Sequence, residues 1–212
     1  MSDDSQTQPA SDRPSWNQRY LDGELPWDTG RPDRHLPEVL DDLDLASGKA
    51  LEIGCGTGTN VIWLARRGFE ASGLDLAEAA IAQAEAKAAD AGVDCRWLSA
   101  DILVDPIPGG PFDFIYDRGC FHVFGEAEQR SRFANRVAAL LGPRGIWHSL
   151  IGSTDGPPRD SGPPRRSAQD IAAAIEPAFE ILELRSADWD LDEHSDKRCW
   201  ILVARPRADA RT

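Results

Sequence analysis

Ala50-Leu51-Glu52-Ile53-Gly54-Cys55-Gly56-Thr57-Gly58-Thr59-Asn60 runs from an apolar strand through a glycine-rich turn into the helix-like stretch Val61 to Arg67. A parallel strand covered on both faces needs a short apolar run. A turn whose backbone must approach a ligand needs residues without side chains, and Gly54, Gly56 and Gly58 meet that need. About 20 residues on, Asp75 closes the apolar stretch Ala71-Ser72-Gly73-Leu74. An open α/β sheet puts there the carboxylate that accepts both hydroxyl protons of a ribose. The two features together describe a nucleoside-binding crevice.

A dinucleotide fingerprint is G-x-G-x-x-G, with a pyrophosphate seated on the helix N-terminus. This chain has G-x-G-x-G preceded by Glu52. A carboxylate at the mouth of the turn repels pyrophosphate and suits a ligand that carries an ammonium and a sulfonium. S-adenosylmethionine is the ligand implied, and a nucleotide-dependent oxidoreductase is the weaker alternative.

Outward from the turn, strand and helix alternate. Ala77 to Ala91 is an alanine-rich helix stopped by Gly92. Strand-like runs follow at Cys95 to Leu98, Phe112 to Tyr116 and Gly145 to Ile151, with a helical pattern from Glu126 to Leu141. That alternation predicts a largely parallel sheet with helices on both faces. Ser167 to Ile175 reads as a further helix, and Phe179 to Leu184 with Cys199 to Ala204 as two strands able to pair antiparallel. The Gly- and Pro-rich loop Gly152 to Arg166 is long enough for a lid or active-site rim.

The chain has 212 residues, 41% hydrophobic, which is enough for one core and one domain. A net charge of -13 without a basic stripe argues against nucleic acid as substrate. The first ~15 residues read as a disordered tail and not a signal peptide, and no run approaches the ~20 apolar residues of a membrane span. The four scattered cysteines suggest neither zinc nor disulfides. A cytoplasmic protein, monomer or homodimer, acting on a small molecule is expected.

These residues resemble the class I S-adenosylmethionine-dependent methyltransferases over most of the chain. The likeness implies a Rossmann-like, doubly wound, mostly parallel seven-stranded sheet with an antiparallel C-terminal strand pair. It implies that Asp75 and the adjoining Leu76 hold ribose and that Asp101 with Ile102 holds adenine. Tyr116-Asp117-Arg118-Gly119-Cys120-Phe121-His122 would be the place where the methionyl end and the acceptor meet, Asp117 on the cofactor side. Trp16-Asn17-Gln18-Arg19-Tyr20 and Gly23 to Pro32 resemble the cofactor-covering segment of the thiopurine and the halide/thiol methyltransferases, with Trp16, Tyr20 and Trp27 over the cofactor. Gly162-Pro163-Pro164-Arg165-Arg166-Ser167 resembles a turn of the same group. The domain would span 16–206, with the covering segment at 16–47 and a tail at 207–212.

Methyl transfer needs alignment, exclusion of water and a deprotonated acceptor. A thiol, with a pKa near 8.5, is already partly ionised at neutral pH. Arg118 and His122 are the candidates to raise that fraction, and Phe121 and Arg165 the candidates to hold the acceptor, Arg165 through a carboxylate. A thiol or other soft nucleophile is therefore favoured. Oxygen, nitrogen, halide or metalloid-oxyanion acceptors, and a catalytically silent binding module, stay open. Ala77 stands where relatives often carry a capping Ser or Thr, Arg118-Gly119-Cys120 departs from their aromatic residues, and His148 reads as a core histidine. His35 and His194 lie in polar stretches with no partner evident.

Overall fold

The computed structural model describes residues 15–158, 162–191 and 197–208. The expected tails lie outside these, apart from their inner edges. Ser15 caps the first helix by accepting from the Gln18 backbone N–H, and the Arg207 backbone N–H donates to the Ala178 carbonyl. His194 also lies outside the described residues.

Two short helices, α1 (Trp16–Asp22) and α2 (His35–Asp42), precede the sheet. The elements β1 (Gly48–Ile53), α3 (Thr59–Arg66), β2 (Phe69–Asp75), α4 (Glu78–Ala91) and β3 (Arg96–Ser99) follow. Then come β4 (Phe112–Arg118), a 3-10 turn at Phe121–Val123, α5 (Ala127–Leu140), β5 (Leu141–Gly152), α6 (Ala168–Ile175), β6 (Phe179–Asp188) and β7 (Arg198–Pro206). The seven strands lie in the order β3-β2-β1-β4-β5-β7-β6. β1 to β5 run parallel, and β7 is antiparallel to both β5 and β6. The expected fold class is the one observed.

Side-chain alternation along β4 explains the two layers. Ile115 points into a core shared with Phe133 and Val137 of α5, Ile171 and Ile175 of α6, and Trp147. Phe114 and Tyr116 point the other way, among Leu36 and Leu40 of α2 and Val61 and Leu64 of α3. A strand buried on both faces must read as a continuous apolar run, as Phe114 to Tyr116 does, whereas Asp113 before them is exposed near the start of the strand.

Several boundaries differ from expectation. α5 passes directly into β5 at Leu141, because Leu141 pairs with Phe112 across a bulge, so the strand starts before Gly145. β3 begins at Arg96, and β6 and β7 extend to Asp188 and Pro206, each completing an edge ladder that periodicity does not reveal. Ala77 makes no side-chain cap. The Asn17 side-chain oxygen accepts from the Ala79 N–H at 2.8 Å, so α1 caps α4 from outside.

Candidate active site

The strand order reverses between β1 and β4, and a crevice opens at their C-terminal ends, as it does in doubly wound sheets. Its floor comes from the turn quoted above. Gly54, Gly56 and Gly58 all have positive φ, at 69°, 54° and 76°. A Cβ on Gly58 would stand 2.4 Å from the Trp97 ring and 2.9 Å from the Ala84 Cβ. The glycines are therefore demanded by backbone conformation and close packing as well as by any ligand.

Glu52 lies at the bottom, 2% exposed. Its Oε1 accepts from the Asn60 side-chain N–H at 2.8 Å, while Oε2 is buried without a partner. Burial pushes its carboxyl up to about 8, against the pull of Asn60. A buried carboxylate oxygen left open in a crevice is costly unless a ligand donor satisfies it. The ammonium of an amino-acid end meets that need, so the residues present fit S-adenosylmethionine.

The walls come from the N-terminal segment. Tyr20, Trp27, Asp28, Thr29 and Arg31 line the crevice together with Glu52, Cys55, the turn, Thr57, Thr59, Asn60 and Arg118. Trp27 packs edge-on against both Trp16 and Tyr20, with the Arg19 guanidinium 4.3 Å from its ring centre. Tyr20 is buried and Trp16 is 42% exposed, and the two meet through the Trp27 ring that packs against both. The Thr57 hydroxyl donates to Asp28 at 2.6 Å, and Lys87 donates to Thr59 at 3.0 Å.

Asp33 ties this segment to the sheet. Its backbone N–H donates to Asn60, and its Oδ2 accepts from Arg118 Nε at 2.7 Å. Arg118 spends its other nitrogens on the Trp27 carbonyl at 3.1 Å and the Asp190 carbonyl at 3.0 Å, and stacks on Trp189. It lines the crevice as a fully engaged clamp. The His35 ring, expected to lack a partner, is buried at 6% exposure with Nε2 at 3.0 Å from the Asp188 carbonyl.

The remaining expected site residues are not among those that line the crevice. Both Asp75 oxygens already accept backbone N–H groups, from Gly56 and Ala77 at 2.9 Å each, so the carboxylate braces the turn beside the crevice. Leu76 next to it is 59% exposed. Asp101 closes its own turn by accepting from Leu103, and Ile102 is buried beneath it.

Asp117 is fully buried and does not reach the crevice. It accepts from Cys120, Phe121 and the Trp147 indole, and burial pushes its carboxyl up to about 6 against those bonds. Phe121, expected to hold the acceptor, is 0% exposed among Phe133 and Trp147. A strand-end turn folds alternate side chains back into the core, which spacing alone does not show. His122 is 3% exposed, and its Nδ1 accepts from the Gly152 N–H at 2.8 Å, away from the crevice lining. Arg165 donates to the Gly156 and Pro157 carbonyls within its own loop. Cys120 is half-buried with its thiol pushed up by burial, the state of a small hydrophobe.

Asp28, Thr29, Arg31, Thr57, Thr59 and Asn60 were not anticipated. The signal for the first three was a run of polar residues just after Trp27. Asn60 had none, since a helix asparagine is ordinary until its partners are known.

A model of the thiopurine S-methyltransferase (TPMT) family matches residues 11–204. The chain belongs to that family. Its members are S-adenosylmethionine-dependent methyltransferases, and the fold and crevice described above are of that kind. A probable thiol methyltransferase 2 from Arabidopsis thaliana is 31% identical over 151 residues, 70% of this chain and 65% of that protein. Thiocyanate methyltransferase 1 of Brassica oleracea is 31% identical over 156 residues, 72% of this chain and 67% of that protein. The chain thus spans about two thirds of the length of these relatives. A structure from work on the conversion of a disulfide bond into a thioacetal group during echinomycin biosynthesis superimposes with a TM-score of 0.75. It is 25% identical, over 90% of each chain.

Proposed function

We propose that the protein methylates a small-molecule thiol or similarly soft nucleophile. One observation carries the donor side: the buried, half-satisfied Glu52 carboxylate at the switch point, just before a turn of three positive-φ glycines. S-adenosylmethionine supplies a methyl group made electrophilic by a sulfonium. Glu52 would hold its ammonium, Asp75 with Leu76 the ribose, and Asp101 with Ile102 the adenine. Trp27, Tyr20 and Trp16 would cover it and exclude water.

Two arguments support a soft acceptor. Among the described residues, the crevice lining includes no imidazole or amine to act as a general base, and its buried carboxyl, Glu52, is committed in this reading to the donor's ammonium. An alcohol would need one, whereas a thiol ionises near pH 8.5 unaided. The relatives named for thiols and thiocyanate point the same way. Arg118 and His122 act in this reading as positioning residues, the first fastening the covering segment and the second fastening the end of β5. No described helix is long and apolar enough to cross a membrane.

The test is a product screen. Purified protein with S-adenosylmethionine is offered an aromatic thiol, a phenol, an amine, iodide and arsenite, and mass spectrometry follows methyl products and S-adenosylhomocysteine. A methyl thioether is expected, and turnover on oxygen or nitrogen alone overturns the reading. Asp75→Ala should weaken donor binding at least about tenfold by calorimetry, and an unchanged affinity removes Asp75 from the site.

A further inference from the structure

The crevice has two guanidinium groups in its lining, and they are in opposite states. Arg118 has an 11% exposed side chain, with its charge matched by Asp33 at 2.7 Å and its remaining nitrogens matched by carbonyls. Arg31 has a 61% exposed side chain, and its ion pair is with Asp190 at 3.5 Å, through Nη2 only. A guanidinium offers five N–H donors in a planar fork suited to a carboxylate. The Arg31 fork is thus largely uncommitted.

Its backbone is nevertheless held. Asp28 accepts from the Gly30 N–H at 3.0 Å, the Thr29 hydroxyl donates to the Arg31 carbonyl at 3.1 Å, and the Arg31 N–H donates back to that hydroxyl at 3.3 Å. Asp28 is fastened to Thr57 on the floor. A cation on a fixed base at an open mouth, with donors to spare, is placed to meet what enters from solvent. The chain as a whole carries -13 and repels anions, so an anionic molecule needs such a local cation to dock.

Resting on the function proposed above, we infer that Arg31 selects the methyl acceptor, favouring thiols that carry a carboxylate. The carboxylate of the donor is the competing source of the same chemistry, and position decides between them. An α-carboxylate lies one carbon from its ammonium, so the donor's must sit deep in the crevice beside Glu52, where Arg118 and Asn60 lie. Arg31 stands at the exposed rim. Arg165, to which the sequence assigns carboxylate recognition, is bound to its own loop and is not among the crevice-lining residues.

The experiment compares 4-mercaptobenzoate with 4-methylbenzenethiol as acceptors for wild type, Arg31→Gln and Arg31→Lys, together with S-adenosylhomocysteine binding by calorimetry. Arg31→Gln should lower the ratio of kcat/KM for the carboxylated over the neutral thiol about tenfold, as loss of a charge-assisted bidentate contact does. The change should fall on KM, and Arg31→Lys should recover part of it because charge returns without the fork. An unchanged ratio overturns the inference, and so does a tenfold weakening of S-adenosylhomocysteine binding, which would assign Arg31 to the donor. If neither thiol is methylated, the proposed function fails. The inference is then judged separately by whether benzoate binds the S-adenosylhomocysteine complex of wild type about tenfold more tightly than that of Arg31→Gln.

Discussion

The floor of the crevice and the segment that walls it are built on different physics. The floor is backbone: three left-handed glycines and the Asp75 carboxylate gripping the Gly56 and Ala77 amides hold the turn over distances of a few residues to about one strand–turn unit. The wall, residues 27–35, is held by side chains reaching far along the sequence. Asp33 meets Asn60 27 positions away, and Arg118 85 positions away. Arg31 and Arg34 meet Asp190 at separations of 159 and 156. A conformation set by steric limits is rigid by construction, whereas one set by a handful of polar bonds can open as a unit. The floor therefore suits recognition of an invariant donor, and the wall suits entry, coverage and choice of acceptor.

The largest effect should come from attacking the floor. Gly58→Ala puts a Cβ into the Trp97 ring and a side chain on a left-handed φ, so a global loss of about 3 kcal/mol is expected from overpacking and backbone strain together. Chemical denaturation measures it, and a loss below about 1 kcal/mol would mean that the turn is as adaptable as the wall.

Asp33→Ala removes the partner of a guanidinium that is mostly buried. Breaking a buried pair costs about 3–5 kcal/mol where the orphaned charge cannot escape. Here the wall can detach and let water reach Arg118, so about 2 kcal/mol, confined to the wall, is expected. Hydrogen exchange should speed up across 27–42 and stay slow in β1. Uniform acceleration through β1 would show that floor and wall are one cooperative unit.

Taken per pH unit, the smallest effect is a pH dependence that sharpens the contrast. Glu52 has its carboxyl raised to about 8 from 4.5. The folded protein therefore holds a proton that the unfolded chain has lost across that window, and this contribution to stability declines as pH rises through it. A bound ammonium favours the carboxylate, so donor binding below pH 8 should release a proton. Affinity should then rise with pH by at most about tenfold per unit, flattening near 8. Calorimetry in buffers of different ionisation enthalpy detects the proton. Glu52→Gln should abolish the release, and a persistent release would place the titrating group elsewhere.

What could be read from the chain tracks this division. The G-x-G-x-G turn, Glu52 before it and the strand-helix alternation are local patterns, because positive φ, apolar periodicity and a strand-end carboxylate are each dictated within a few residues. The family likeness extended that reading to the aromatic residues of the covering segment, and Tyr20 and Trp27 do line the crevice. Phe121, His122 and Arg165 went astray for the opposite reason. All three stand next to turns, where one rotation of the backbone decides between cavity and core, and here Asp117 draws the Cys120 and Phe121 amides under it and turns the Phe121 ring inward.

Sequence alone determined the class of fold, the glycine turn at its switch point and the acid that precedes it, since steric and periodic constraints act between near neighbours. Tertiary structure alone decided which charges stay free. Whether an arginine is a clamp or a hook depends on which carboxylate the fold sets beside it: Asp33 neutralises Arg118 at 2.7 Å, while Asp190 meets only Nη2 of Arg31, at 3.5 Å, and leaves its side chain 61% exposed.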